Sequence, residues 1–255
     1  MKKLTLTSLL TVLAVSGAHA ANIIDGNPLY RPGEGRFYSV TALESHTEAM
    51  ESWMLAEEFG YGITDKLAVF MKTGLSEVDS FDYMSWNDFS VGLNYRVLDM
   101  GAWKGDVYGV YKFSPVWGDH QPFLDEDLTH YTWTLGVRGG YAGEGWTVAG
   151  HVDFDYTNSE SFNWGDSGLH KLSAGLDAQL LLDPQWNLVA GVEYTGVMND
   201  SAHNAGVWNA KLGANYNIDA TKFVGAYIMG EMEHSTGEWE VADGMGLGVQ
   251  FGITF

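Results

Sequence analysis

The chain has 255 residues, with 13 Lys+Arg against 33 Asp+Glu, no cysteine and 32 glycines. An acidic balance of this size excludes a nucleic-acid partner, whose phosphates need a basic surface, and a basic helix lying on a membrane. The lack of cysteine leaves no disulfide framework, thiolate metal site or lipidation site, and glycine well above the usual ~7% weighs against helix bundles.

In chain order, Met1 to Ala20 reads as a removable secretory signal. Lys2 and Lys3 precede an apolar stretch from Leu9 to Val15 interrupted by Thr11, and Ala18-His19-Ala20 supplies a small-x-small cleavage pattern. Its removal leaves eleven basic and 33 acidic residues, a net charge of −22. No later apolar run reaches the roughly 18 residues that a helical membrane span requires. Residues 21–35 carry Pro28, Pro32 and three glycines and are predicted to form an irregular periplasmic lead-in or plug segment.

From Arg36 onward the chain falls into short alternating runs separated by turn residues. Twelve strands are predicted, at about 36–44, 52–61, 67–75, 88–98, 106–114, 129–141, 146–156, 169–181, 186–197, 206–216, 223–232 and 244–255. Several declare their faces clearly. Phe89, Val91, Leu93, Tyr95 and Val97 oppose Asp88, Ser90, Gly92, Asn94 and Arg96, and Leu172, Ala174, Leu176, Ala178 and Leu180 oppose Lys171, Ser173, Gly175, Asp177 and Gln179. The first, second and eleventh strands are ambiguous: Glu57 falls in phase with Leu55 and Phe59, which requires a bulge or another register. Connections at 62–66, 99–105, 142–145, 182–185 and 217–222 are short, whereas those at 45–51, 76–87, 115–128, 157–168, 198–205 and 233–243 are mostly longer and polar. Tyr61, Tyr95, Tyr141, Trp146, Trp186, Tyr216, Phe223 and Phe255 stand at the short-turn ends of the apolar face. Trp53, Phe113, Tyr131, Trp133, Tyr156 and Trp208 stand toward the loop ends. Two aromatic belts suit the two interfaces of a bilayer and have no purpose in a soluble sandwich.

The last run, Met245 to Phe255, alternates large apolar with small or polar side chains and stops on phenylalanine. It resembles the closing strand of a bacterial outer-membrane β-barrel of the porin-like kind. The resemblance implies an all-β fold, a single antiparallel transmembrane barrel of about twelve strands over 36–255 in the outer membrane of a Gram-negative cell. It also implies that Phe255 is the signal read by the barrel-assembly machinery, and that the chain meets outer-membrane lipid and lipopolysaccharide.

In that register Lys72, Asp88, Arg96, Asp106, Lys112, Arg138, His151, Asp153, Asp155, Lys171, Asp177, Glu193, Lys211 and Glu231 line the lumen. Ionised groups facing lipid near the midplane would cost ~2–4 kcal/mol each, so inward segregation is required of a barrel. Such a lining forms either a polar pore or a filling of mutual ion pairs, with Arg96 near Asp106, Asp153 near Lys171 and Glu193 near Lys211. Twelve strands enclose more room than the eight that side chains can fill, and inward Gly92, Gly175, Gly191, Gly213, Gly246 and Gly248 are expected to add space.

The leading expectation is a porin-like channel for passive diffusion of small hydrophilic solutes, without cofactor or metal and without enzymatic activity. A surface adhesion or structural role on the acidic loops is the alternative from another class, and an outer-membrane hydrolase is a third. For the last, His151 is expected roughly opposite Ser173 with Asp153 and Asp155 on the same face, but no Gly-x-Ser-x-Gly motif accompanies them. Asp119-His120 matches the acidic-histidine pairs of omptin-type barrel proteases only as a dipeptide. The carboxylates of Asp125-Glu126-Asp127 and of Glu231, Glu233, Glu238, Glu240 and Asp243 could hold divalent ions, yet they lack the spacing of a calcium loop. His120, His130, His203 and His234 stand singly and form no spaced metal motif.

Overall fold

A computed structural model describes residues 24, 26–46, 52–78, 83–115, 129–159, 168–198, 206–235 and 238–255. The signal segment, Asp119-His120, Asp125-Glu126-Asp127 and His203 lie outside the described residues, as do the side chains of Asp88, His130, Glu233, His234, Glu238, Glu240 and Asp243.

Among the described residues the regular structure is twelve strands: β1 (Phe37–His46), β2 (Ser52–Gly62), β3 (Leu67–Val78), β4 (Tyr83–Met100), β5 (Trp103–Pro115), β6 (Thr129–Ala142), β7 (Trp146–Ser159), β8 (Leu169–Leu181), β9 (Trp186–Val197), β10 (Gly206–Asn217), β11 (Lys222–Ser235) and β12 (Glu238–Thr254). Each pairs antiparallel with its neighbours in sequence, and β1 pairs with β12, so the sheet is a closed barrel. Closure removes the open edge whose backbone groups nothing in hydrocarbon could satisfy. The seam runs from Tyr38 opposite Thr254 to His46 opposite Gly246, and Phe37 and Phe255 exchange backbone hydrogen bonds below it. The strands reach further toward the loop side than alternation indicated: β4 begins at Tyr83 and β12 at Glu238.

Side-chain hydroxyls and carboxylates shape the short turns. Thr64 Oγ1 accepts from the backbone N–H groups of Lys66 and Leu67, Asp183 Oδ1 from those of Gln185 and Trp186, and Asp219 Oδ1 from that of Thr221. The β4–β5 turn uses Gly101 at φ 64°, a left-handed conformation that favours glycine.

The outer face carries an exposed apolar wall, including Leu93, Leu135, Leu176, Leu212 and Val249. Aromatic pairs ring its turn side, as in Phe37–Tyr61, Trp103–Tyr141 and Trp186–Tyr216, and its loop side, as in Tyr111–Trp133 and Tyr194–Trp208. Phe223 departs from the expected belt. It points inward and is 1% exposed, because a Cβ at Gly252 would lie 2.0 Å from its ring and the glycine leaves that place open. The same device seats Phe70 over Gly92 and Tyr227 over Gly248. The inward glycines therefore do not simply widen the lumen, since neighbouring side chains occupy the room they leave.

The lead-in enters the barrel. Gly26, at φ 92°, packs so closely on Val189 of β9 that a Cβ would come within 2.3 Å of it. A turn at Asn27 follows, Leu29 is buried, and Gly35 donates to the Gly62 carbonyl beside the β2–β3 turn. The segment thus crosses the turn-side mouth before β1 begins.

Candidate functional site

The interior is built by alternation: on each strand the residues between the lipid-facing ones project inward, and these are the polar ones. Toward the turn side Asp106 of β5, fully buried, sits between two guanidiniums. Arg96 Nε and Nη2 and Arg138 Nη2, the last at 2.9 Å, all donate to its carboxylate. Arg96 Nη2 also donates to the Leu29 carbonyl at 2.9 Å, tying the lead-in to the β4 wall. A register irregularity of β4 against β5 between Arg96 and Leu98 follows directly after this pair.

Further along the wall, Lys72 pairs with Glu58 at 2.8 Å, and the Tyr38 hydroxyl donates to the same carboxylate at 2.6 Å. The Lys72 side chain is 56% exposed although it points into the barrel, so it stands in open space. Lys112 lies opposite Ser90 and Thr132 and lines, with Lys72, Glu58 and Asp155, a cavity of 460 Å³ that the lead-in also borders.

At mid-height His151 of β7 lies flat on the wall. Its Nε2 is 2.9 Å from Glu193 of β9 and its Nδ1 3.2 Å from Asp177 of β8, while Tyr108 of β5 donates to Asp153. A Cβ at Gly175 would come within 2.4 Å of the His151 ring, one at Gly136 within 2.0 Å of Asp153 and one at Gly191 within 2.6 Å of Asp177. Three glycines thus hold these groups against the wall. One ligand atom each from His151, Asp153 and Glu193 falls within 4.8 Å of the others, a spacing a divalent cation could use. His151 and Glu193, with Lys211 and Glu231, line a second cavity of 350 Å³. A third, of 300 Å³, lies between the lead-in and Arg138, Asp177 and Lys211.

Two of the three expected cross-hairpin charge pairs are displaced. Arg96 does face Asp106, but Lys171 faces Asp155 rather than Asp153, and Glu193 faces Asn209 rather than Lys211, whose ammonium sits 3.5 Å above the Tyr227 ring. The expected His151–Ser173 pairing is also absent. Ser173 faces Asp153 across the ladder and its hydroxyl bonds Thr195 at 2.7 Å, whereas His151 faces Gly175. The serine therefore has no histidine base, and a Ser-His-Asp arrangement is not formed among the described residues. Sequence reasoning did not single out Tyr38, Tyr108 and Tyr227, which donate to Glu58, Asp153 and Glu44. The available signal was their inward phase beside glycines on the next strand.

No protein-family model matches the chain, and no curated protein sequence matches it significantly. Solved structures do. The chain is similar to the NanC porin at 11% identity and TM-score 0.59, covering 86% of this chain and 98% of that one. It is similar to the KdgM porin at 10% identity and TM-score 0.54, covering 86% and 99%. A COG4313 outer-membrane channel from Pseudomonas putida F1 gives 15% identity and TM-score 0.56, covering 91% and 98%. At these identities the likeness is one of fold: a closed twelve-stranded outer-membrane barrel. An apolar outer wall banded by aromatics belongs in that membrane.

Proposed function

We propose that this protein is a porin-like channel through which small hydrophilic solutes diffuse passively, and that it is not an enzyme. The observation that carries the reading is the exposure of Lys72 within the barrel: a charged side chain on an inner wall stays this open only where water reaches it. Interior cavities among the described residues extend that space along β2 to β12.

The lining supplies polarity. Lys72, Arg96, Lys112 and Arg138 follow one another on β3 to β6 and outnumber Asp106 among them, and Asp153, Asp155, Asp177 and Glu193 on β7 to β9 outnumber His151 and Lys171 among them, so each sector keeps an excess of one sign. Basic and acidic sectors side by side set up a transverse field that orients a solute carrying both signs. The lead-in leaves less room on the turn side, which favours small solutes. The folds of the NanC and KdgM porins support this reading without naming a solute for this chain.

Conductance across a planar bilayer tests it. The refolded protein is expected to give stable steps with cation preference at low salt, set by the net charge of −22 expected after signal removal and lost as salt screens it. A silent bilayer with correctly folded barrel refutes the channel. Anion preference at low salt would assign selectivity to the β3–β6 cations instead.

A further inference from the structure

Glu57 occupies a place that a membrane barrel ordinarily denies to a carboxylate. No bulge interrupts the β1–β2 or β2–β3 ladders, so Glu57 projects from the outer face between exposed Leu55 and Phe59. On that face of β2 it stands four residues from Tyr61 at the turn-side belt and four from Trp53 at the loop side. Four residues rise about 13 Å along a strand, about 10 Å of depth at a tilt near 40°, which puts the carboxyl at mid-membrane. Elsewhere among the described residues the mid-height outer face is apolar.

Its neighbours are polar in concert. Ser39 Oγ donates to Glu57 Oε1 at 2.6 Å and Thr41 Oγ1 to Oε2 at 2.5 Å. Thr41, Glu57 and Thr73 are direct ladder partners, forming one row across β1, β2 and β3 bounded by Phe251 of β12 and Phe89 of β4. Ser39, Thr41 and Thr73 are also small, so the wall is shallow between Leu43 and Leu55 on one side and Phe59 and Met71 on the other. Acyl chains offer this row no donor or acceptor, and lipid headgroups lie about 10 Å away in depth.

We infer that the Ser39–Thr41–Glu57–Thr73 patch is the contact surface for a second copy of this chain, packed wall to wall in the membrane. Copies inserted in one membrane share one orientation, so a two-fold axis along the membrane normal brings residues of equal depth together. The patch suits that symmetry because the Thr73 hydroxyl and the Glu57 carboxylate, whose oxygens keep lone pairs beyond the bonds from Ser39 and Thr41, stand at the same height, and small polar residues let membrane-embedded walls approach closely. The inference rests on the barrel's place in the membrane and is independent of conduction.

The chain's lack of cysteine makes disulfide trapping a direct test. Thr41→Cys, Thr73→Cys and, on the far wall, Leu176→Cys would each be expressed, oxidised in native outer membranes and run unreduced. A band at twice the protomer mass is expected from at least one patch cysteine, at five-fold or greater yield over Leu176→Cys. Adding Glu57→Leu should bring that yield down to the Leu176→Cys level while the barrel remains heat-modifiable, and Glu57→Gln should retain most of it. Equal yields from both walls, or patch crosslinks only to another protein identified by mass spectrometry, overturn the inference. Bilayer conductance of the same variants separates this outcome from failure of the channel reading.

Discussion

Asp106→Asn is the substitution whose cost follows most directly from the structure. The Asp106 side chain is wholly buried, the Arg96 side chain is 5% and that of Arg138 22% exposed, and both guanidiniums converge on the one carboxylate. An amide keeps the volume but removes the charge, and turns an N–H group toward donors that cannot accept it. Leaving a buried charge without its counter-charge costs about 3–5 kcal/mol. For a domain of this size that corresponds to a fall of about 6–20 °C in the unfolding midpoint. Heat-modifiability of the folded barrel on unboiled gels, followed against temperature, measures it. Replacing the whole group by Arg96→Met, Asp106→Leu and Arg138→Met should restore most of the loss, because no uncompensated charge then remains. A midpoint for Asp106→Asn within about 2 °C of wild type, given the scale of the expected shift, would refute the reasoning. So would a triple variant that is worse than the single one.

Gly252→Ala should destabilise the barrel by about 1–3 kcal/mol, since its Cβ would fall 2.0 Å from the Phe223 ring. In the Phe223→Ala background the same change should cost almost nothing, and a double-mutant cycle on unfolding midpoints checks the coupling. Deleting residues 24–33 should raise single-channel conductance, because this stretch borders two of the interior cavities at the turn-side mouth; unchanged conductance would show that ions bypass the segment. Arg96→Ala, which removes the hydrogen bond to the Leu29 carbonyl, should shift conductance in the same direction by a smaller amount.

The strand number, the alternation of faces and the closure by the last strand were legible because lipid on one side and water on the other impose a period of two on every strand. Register across the hairpins was less legible. The β7–β8 and β9–β10 connections are long, and a two-residue slip leaves each residue on its own face, so the pattern cannot detect it. That slip moves Lys171 from Asp153 to Asp155 and His151 from Ser173 to Gly175. Phe223 was misplaced because its inward seat depends on Gly252, on another strand. Glu57 resisted because a rule about its own strand forbids an outward carboxylate, whereas Ser39 and Thr41, which bond it, lie on the neighbouring strand.

These misreadings have one physical cause, and it bears on which residues solutes meet. A barrel of a single sheet has no second layer, so the surroundings of a side chain are decided by what stands beside it across the ladder. Where that neighbour is glycine, the side chain lies down on the wall. His151 rests on Gly175, Asp177 on Gly191 and Asp153 on Gly136, each then held by a hydrogen bond or an ion pair. Groups fixed in this way contribute a field without obstructing the path. Lys72, between Glu58 and Ser90, has no glycine opposite it and stands away from the wall, its side chain 56% exposed even though its ammonium pairs with Glu58 at 2.8 Å. Fixed charges therefore set the polarity of the lumen, and an extended one such as Lys72 makes the direct contact, so its replacement by glutamine should alter selectivity more than the equally conservative Asp177→Asn.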